Sequence, residues 1–180
     1  EKAKIQIISA EISAFTTDCF EISVFLEKFS VLGLDATQLL PVRDLVIGIF
    51  SLLEHTPIRS LGINRTMHFE LLTSQSFNAI ESALISQEPW KDLLQAACLK
   101  SITLEEKSTD VDGKLSIRIE PSAKIPGGVY INLNEHHDSK DERASSHVLL
   151  DIFRNRWENT QARELSIAEK LIERIAVRIS

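Results

Sequence analysis

The sequence predicts an α+β protein, with an antiparallel sheet, helices packed on one face of that sheet and a long C-terminal helix. Three observations support this prediction. Several segments alternate apolar and polar residues with a period of two, which is typical of strands that bury one face. Two other segments repeat apolar residues at helical spacing. Asp, Gly and Pro residues that favour turns lie between the alternating segments.

The composition is that of a globular protein. The chain has 180 residues, of which 43% are apolar and 26% charged, so we expect a single domain over residues 1–180 with a real hydrophobic core. Because the chain does not begin with Met, we also expect that an upstream segment is missing.

Charge and cysteine content argue against several classes of protein. The net charge is −6, and the basic residues are scattered among acids, so we expect no nucleic-acid partner. The chain lacks an apolar run of the length that a membrane span needs, so we expect no membrane association. Cys19 and Cys98 lie far apart and are expected to be reduced thiols, which favours a cytoplasmic location.

The first quarter of the chain predicts strands followed by a helix. Residues 4–26 alternate at period two and contain a turn signal at Asp18, which indicates two strands. The segment 29–37 predicts a loop or a short strand. Pro41 then suits the start of a helix, and apolar residues at helical spacing continue until Pro57.

The middle of the chain predicts a long strand and two short helices. Residues 58–72 alternate, with an apolar face that only Arg65 interrupts. Phe77, Ile80 and Leu84 are spaced as in a short helix. Pro89-Trp90 suits the start of another helix, with Trp90 expected in the core.

The last part of the chain predicts a hairpin, a strand and the long helix. Two alternating segments flank the turn signal Asp112-Gly113, and a further strand follows at 129–134. Residues 135–146 are polar and predict a solvated loop. From His147 onward the apolar spacing is helical, as one helix or as two that meet at Asn159-Thr160.

The pattern Ile-Asn-x-x-x-His occurs twice, at residues 63–68 and 131–136. Side chains alternate along a strand, so the polar residues of each copy project from one face. The functional interpretation is a polar pocket for a small ligand or a peptide; the structural interpretation is that these residues support neighbouring turns. The candidate pocket residues are Asn64, His68, Asn132, Asn134 and His136.

A metal site is a further alternative. His68, His136 and Asp138 would form a set of two histidines and one carboxylate, which suits non-haem iron or another divalent ion. If the strand continues through this segment, His137 points away from His136 and Asp138. The sequence lacks a spacing that fixes such a site, so no metal or other cofactor is predicted.

A series of short motifs resembles a family of uncharacterised bacterial proteins of similar size. The motifs are Glu54-His55-Thr56-Pro57-Ile58, Leu61-Gly62-Ile63-Asn64, Met67-His68-Phe69, Ile119-Glu120-Pro121-Ser122, Gly128-Val129-Tyr130-Ile131-Asn132 and Trp157-Glu158. Members typically have Asn-Asp-His-Tyr where this chain has Asn134-Glu135-His136-His137. The resemblance implies a bacterial source and no established activity.

Two hypotheses of function follow. The first is a non-enzymatic binding or assembly module, with a homo-oligomer or another protein as its partner; it requires that the repeated Asn and His residues support the scaffold and that exposed apolar residues cluster elsewhere. The second is a metal-dependent or small-molecule enzyme centred on His68 and His136. It requires that the two imidazoles face one pocket.

Overall fold

The computed structural model describes residues 4–71, 77–86, 88–95, 97–107, 113–139 and 147–179. The chain divides into two compact units, and each contains a four-stranded antiparallel sheet. The first unit is Glu1–Pro57 with Ser145–Arg154, and the second is Ile58–Ala144 with Asn155–Ser180. The combination of antiparallel sheets with helices confirms the α+β class. The assignment of residues 1–180 to a single domain stays a prediction.

The first sheet is a meander in the order β1-β2-β3-β4. Its strands are β1 (Lys4–Ile8), β2 (Ile12–Thr16), β3 (Phe20–Phe25) and β4 (Phe29–Gly33). The hydroxyls of Ser9 and Thr17 accept backbone N–H groups at the first two turns, which is the usual way that Ser and Thr stabilise turns. A 3-10 turn at Ala36–Gln38 leads into helix α1 (Leu39–Leu52).

One face of the first sheet is apolar, and α1 covers part of it. In-register residues from all four strands form this face: Ile5, Phe15, Ile22 and Val31. Phe50 of α1 contacts Phe29 of β4 edge-on, with ring centroids 5.3 Å apart. At the far end of the same face, Ile8 of β1 is 63% exposed. The helix therefore covers the β4 side and leaves the β1 side exposed.

The second sheet has the order β5-β8-β7-β6, with every neighbouring pair antiparallel. Its strands are β5 (Ser60–Phe69), β6 (Ile102–Lys107), β7 (Gly113–Pro121) and β8 (Val129–Asp138). Strands β5 and β8 pair over ten residues, from Ser60 opposite Asp138 to Phe69 opposite Val129. The last strand in the sequence is therefore central, and its side chains alternate between a buried and a partly buried face.

Helices α2 (Phe77–Leu84) and α3 (His147–Ile179) complete the fold. The buried face of the second sheet, here called the inner face, contributes to the main core together with α2 and α3. The core residues are Ile80, Leu115, Ile119, Val129, Ile131, Leu133, Ala168 and Ile175. Every second residue of a strand and every third or fourth residue of a helix lies on one face. At these spacings, β8 and α3 both place apolar residues in the core.

Several predicted elements are confirmed. The strand within residues 58–72, the strands on either side of residue 112, the short helix at Phe77–Leu84 and the C-terminal helix are all present. The C-terminal helix is one element that continues through Asn159-Thr160. Asp112 of the predicted turn and residues 140–146 of the predicted loop lie outside the described residues.

Other predictions are wrong. Residues 4–26 contain three strands, because the turn at Ser9 divides the segment that we expected to be one strand. The helix expected after Pro89-Trp90 is a 3-10 turn at Glu88–Trp90, and Trp90 is 45% exposed. Residues 135–138 belong to β8 and not to a solvated loop, because β5 provides pairing partners as far as Asp138.

The helices of the described residues lack a stretch that is both long and apolar enough to cross a membrane.

Candidate functional site

The candidate residues from the repeated motif lie on the outer face of the second sheet, opposite the core. The two copies belong to the paired strands β5 and β8, and Asn64 lies directly opposite Asn134. Asn132 lies opposite Thr66. The structure therefore brings the Asn residues together at the middle of the strand pair. The side-chain oxygen of Asn134 is buried and has no hydrogen-bond partner among the described atoms.

The two histidines of the motif lie at opposite ends of that strand pair. His68 is opposite Tyr130, whereas His136 is opposite Gly62. Tyr130 and His136 are six residues apart on β8, which corresponds to roughly 20 Å along a strand. One ion or one small ligand cannot contact both imidazoles, so the set His68, His136 and Asp138 is not assembled in this structure.

His68 supports a turn. Its Nδ1 lies 2.8 Å from the hydroxyl oxygen of Ser122, and that oxygen also accepts the backbone N–H groups of Lys124 and Ile125. Since the hydroxyl oxygen accepts two bonds, its own hydrogen is free to be donated to Nδ1. The imidazole of His68 thereby binds the turn between β7 and β8.

His136 contacts the carboxylate of Asp138 beside it. The distance from His136 Nε2 to Asp138 Oδ1 is 3.0 Å. Within the part of the chain that the structure describes, no three or more His, Cys, Asp or Glu side chains are grouped closely enough to hold a metal ion.

A cluster of buried polar side chains lies on the inner face, where β8 passes beyond the apolar core. Glu135 and His137 are two residues apart on β8 and share this face. His137 Nε2 lies 3.0 Å from Glu135 Oε1, and both side chains are almost fully buried. Because the carboxylate of Glu135 accepts this bond, Nε2 of His137 carries a hydrogen.

The backbone of β7 leaves room for this imidazole at Gly113. Gly113 is paired with His137 across the two strands. A Cβ atom at position 113 would lie 2.7 Å from His137 Nδ1 and 3.0 Å from the carbonyl oxygen of His136. Any other residue would therefore displace the ring or the strand.

Helix α3 completes the hydrogen bonds of Glu135. The hydroxyl of Thr160 donates to Glu135 Oε2 at 2.9 Å, and a guanidinium nitrogen of Arg156 lies 3.8 Å from Oε1. The hydrogen bond from His137 lowers the pKa of the Glu135 carboxyl below its usual value; burial opposes this effect, and Thr160 and Arg156 add to it. Glu135 is therefore an anion held by three partners.

Glu164 lies one helical turn beyond Thr160, on the same face of α3. Its side chain is fully buried, and its Oε2 lies 3.8 Å from Nε of Arg65 on β5. Arg65 in turn donates to the side-chain oxygen of Gln161. Burial raises the pKa of the Glu164 carboxyl to about 8, although the nearby Arg65 lowers it.

The buried polar cluster is therefore made of Arg65, Glu135, His137, Thr160 and Glu164. Its hydrogen bonding is incomplete among the described atoms: both oxygens of Glu164, Nε of Arg65 and Nδ1 of His137 are buried without a hydrogen-bond partner. Buried polar atoms in folded proteins are nearly always paired, so each exception asks for an explanation.

A groove of about 240 Å³ opens beside this cluster, and we call it the α3 groove. Its lining residues are Glu135, Arg156, Asn159, Thr160 and Arg163. The four lining residues of α3 lie within two turns, at positions 156, 159, 160 and 163, which share one face of the helix. At the edge of the groove, Arg163 binds the carboxylate of Glu106 on β6, with both oxygens 3.0 Å from one guanidinium nitrogen.

None of the five cluster residues was predicted as a site residue. Glu135 and His137 were assigned to a loop because of their polarity, although they continue the alternation of Val129, Ile131 and Leu133. The spacing of Trp157, Thr160 and Glu164 on the buried stripe of α3 is the signal that could have placed the last two on the inner face.

Comparisons with protein-family models, with curated proteins and with solved structures found no match for this chain. The resemblance to a bacterial family therefore stays an interpretation of the sequence motifs.

Proposed function

We propose that this chain is a non-enzymatic binding module, and that it binds a small polar ligand in the α3 groove. The observation that carries the proposal is that the buried polar cluster and the groove share Glu135 and Thr160. A convergent set of polar side chains with perturbed pKa values, next to a concave surface, is the usual physical character of a binding site.

The energetics of the cluster support a role other than stability. Burial of an ionised or polar group costs free energy unless its hydrogen bonds are complete. Here both carboxyl oxygens of Glu164 and Nδ1 of His137 are buried without a hydrogen-bond partner in the described structure. Apolar residues at the same positions would extend the core. A sequence selected for stability alone has no reason to place these residues here.

The accessibility of the cluster supports binding more than catalysis. The side chain of His137 is only 1% exposed and is enclosed by the backbone at Gly113, so it cannot exchange a proton with a ligand in the groove. The enzyme hypothesis that involves His68 and His136 has less support, since the two imidazoles lie at opposite ends of the β5–β8 pair.

The proposal is tested by titrating isotope-labelled protein with a panel of small polar metabolites: amino acids, mono- and dicarboxylates, inorganic phosphate and simple sugars. We expect at least one of them to shift the amide resonances of residues 156–163 and of Glu135. If no compound shifts these resonances at millimolar concentration, the proposal is wrong.

Assembly is the second part of the proposal, and the partner is a second copy of this chain. Of the seventeen large apolar side chains that are exposed among the described residues, twelve belong to the first unit. The edge strand β1 is exposed along its whole length and carries Ile5, Ile7 and Ile8. A second copy presents the same apolar edge. A two-fold contact between the two β1 edges therefore covers both, and no charged partner surface is needed.

Light scattering after size exclusion tests the assembly. We expect a dimeric mass for the wild type and a monomeric mass for Ile8→Lys, which places a charge in the contact. A monomeric mass for the wild type at high protein concentration would exclude the proposed dimer.

A bacterial, cytoplasmic protein fits the motif resemblance and the two cysteines, which are not joined in a disulfide; Cys98 is exposed. Thiol alkylation in cell extracts measures the redox state of Cys98 and tests this location. Extensive oxidation of Cys98 would contradict a cytoplasmic protein.

A further inference from the structure

We infer that the α3 groove takes a small dicarboxylate, with one carboxylate at Arg156 and the other at Arg163. This inference rests on the proposed function, since it names the ligand class of the same site.

The atoms that the groove offers to a ligand are mostly hydrogen-bond donors. Arg156 and Arg163 contribute guanidinium groups and Asn159 contributes an amide. Glu135 is the carboxylate of the lining, but its side chain is only 8% exposed, and it already has His137, Thr160 and Arg156 as partners. A ligand that enters the groove therefore meets donors, and an acceptor-rich anion complements them.

Both arginines already face a carboxylate of the protein. A guanidinium nitrogen of Arg156 lies 3.8 Å from Glu135 Oε1, beyond hydrogen-bond distance, and the five N–H donors of the group allow it to keep this contact while it binds a ligand. Glu106 binds Arg163 through both of its oxygens. The two side chains are 66% and 45% exposed, and an exposed pair of this kind contributes at most about 1 kcal/mol. A ligand carboxylate can displace Glu106, because planar carboxylates match the guanidinium fork and gain from the partly enclosed groove.

The spacing of the two arginines favours a ligand with two anionic groups. Arg156 and Arg163 are seven residues apart on α3, which is about two turns, or roughly 10 Å along the helix axis. A single compact anion cannot bridge donors so far apart unless both side chains bend toward it. Two carboxylates on a short carbon chain can bind one guanidinium each.

The size of the groove suits a small ligand. Its volume of about 240 Å³ is below the roughly 300–1,000 Å³ of clefts that enclose drug-sized ligands. A four- or five-carbon diacid is of suitable size.

Calorimetric titration with succinate, acetate, inorganic phosphate and the neutral analogue succinamide tests the inference. We expect succinate to bind at least about tenfold more tightly than each of the other three, because they lack one or both of its charge-assisted contacts. Arg156→Gln and Arg163→Gln should each weaken succinate binding about tenfold. Arg174→Gln removes the same charge from an exposed position of α3 outside the groove and should leave the affinity unchanged.

Glu106→Gln is the most informative variant, because this substitution should strengthen the binding of succinate. Loss of the competing carboxylate frees Arg163, and we expect up to about fivefold tighter succinate binding, the equivalent of one exposed ion pair. Equal binding of succinate and succinamide, or weaker binding by Glu106→Gln, overturns the inference and leaves the proposed function standing. The absence of binding by every compound of the metabolite panel overturns both.

Discussion

The two sheets have the same number of strands and the same antiparallel pairing, but they differ in what they bury. In the first sheet, Ala14 is the one strand residue among those described that is buried, and α1 covers only the β4 side of the apolar face. In the second sheet, every inner-face residue of β8 is buried, from Val129 through His137. The difference shows that strand pairing alone does not make a core; the helix that covers the sheet does.

The same difference separates the two kinds of surface that the protein offers. Where the second sheet and α3 exclude water, ionisable groups such as Glu135 and Glu164 interact strongly and have altered pKa values. Where the first sheet is exposed, its apolar side chains can act only through contact with another surface. The proposed ligand binding therefore belongs to the second unit, and the proposed self-association to the first.

The largest expected effect comes from truncating the same residue type in the two sheets. Ile131→Ala, in the core of the second unit, should lower the free energy of unfolding by about 2–5 kcal/mol, because it leaves a cavity. Ile8→Ala, at a position of β1 that is exposed in the single chain, should change the free energy of unfolding by less than about 0.5 kcal/mol at protein concentrations where the chain is monomeric. Urea denaturation followed by circular dichroism measures both. Equal losses would mean that the two sheets are covered alike.

The second prediction concerns pH and the buried carboxyl of the second unit. The pKa of Glu164 is about 8 in the folded chain, against 4.5 as the ordinary value. Between these values the folded state keeps a proton that the unfolded state has lost, so the contribution of Glu164 to stability is greatest below pH 4.5 and decreases as the pH rises toward 8. The slope approaches about 1.4 kcal/mol per pH unit.

Glu164→Gln should therefore gain stability relative to the wild type as the pH is raised, by a few kcal/mol from pH 5 to pH 9. Thermal or urea unfolding at a series of pH values measures the difference. Glu169→Gln, at an exposed position of the same helix, is the matched control for the loss of a carboxylate. A stability difference between Glu164→Gln and the wild type that is the same at every pH would show that Glu164 is ionised throughout.

The third prediction concerns the glycine that accommodates His137. Gly113→Ala should destabilise the second unit by about 1–3 kcal/mol, because the added Cβ would overlap the imidazole and the backbone of β8. Double substitution with His137→Ala should recover part of the loss, since the ring is then absent while the close approach to the backbone remains. An additive double variant would mean that the ring does not limit the space at position 113.

The smallest expected effect is the same Gly→Ala substitution in the first unit. Gly48 lies in α1, and a Cβ at this position would meet no atom within 4 Å. Gly48→Ala should therefore raise stability by about 0.5–1 kcal/mol, because alanine loses less backbone entropy in a helix. Its thermal unfolding, compared with that of Gly113→Ala, should shift in the opposite direction; a decrease would show that α1 is packed more closely at Gly48 than the structure has it.

The sequence predicted the fold where apolar residues repeat with a clear period. Strands β5 and β7 and the C-terminal helix were found in this way, because their apolar faces pack on the core. At residues 135–138 the alternation of buried and partly exposed positions in β8 continues, but these positions are occupied by Glu, His and Asp. Their polarity predicted a loop, whereas the length of β5 would have required a partner strand that continues to Asp138.

The candidate site was beyond prediction for the same reason. Its residues are polar side chains at positions where the pattern calls for apolar ones, and they come from β5, β8 and α3, which are distant in the sequence. The repeated Ile-Asn-x-x-x-His motif was more visible, but the register of β5 and β8 places its two histidines apart. Only the strand register and the helix face together bring Glu135, His137 and Thr160 into contact.

The most direct test of the account is the side-chain NMR signal of the groove arginines during a succinate titration. The guanidinium Nε–Hε resonances of Arg156 and Arg163 should shift together and saturate, while that of Arg174, which lies outside the groove on the same helix, should not move. Shifts of Arg174 equal to those of the other two, or no shift of Arg156 and Arg163 at saturating succinate, would contradict a dicarboxylate site in the α3 groove.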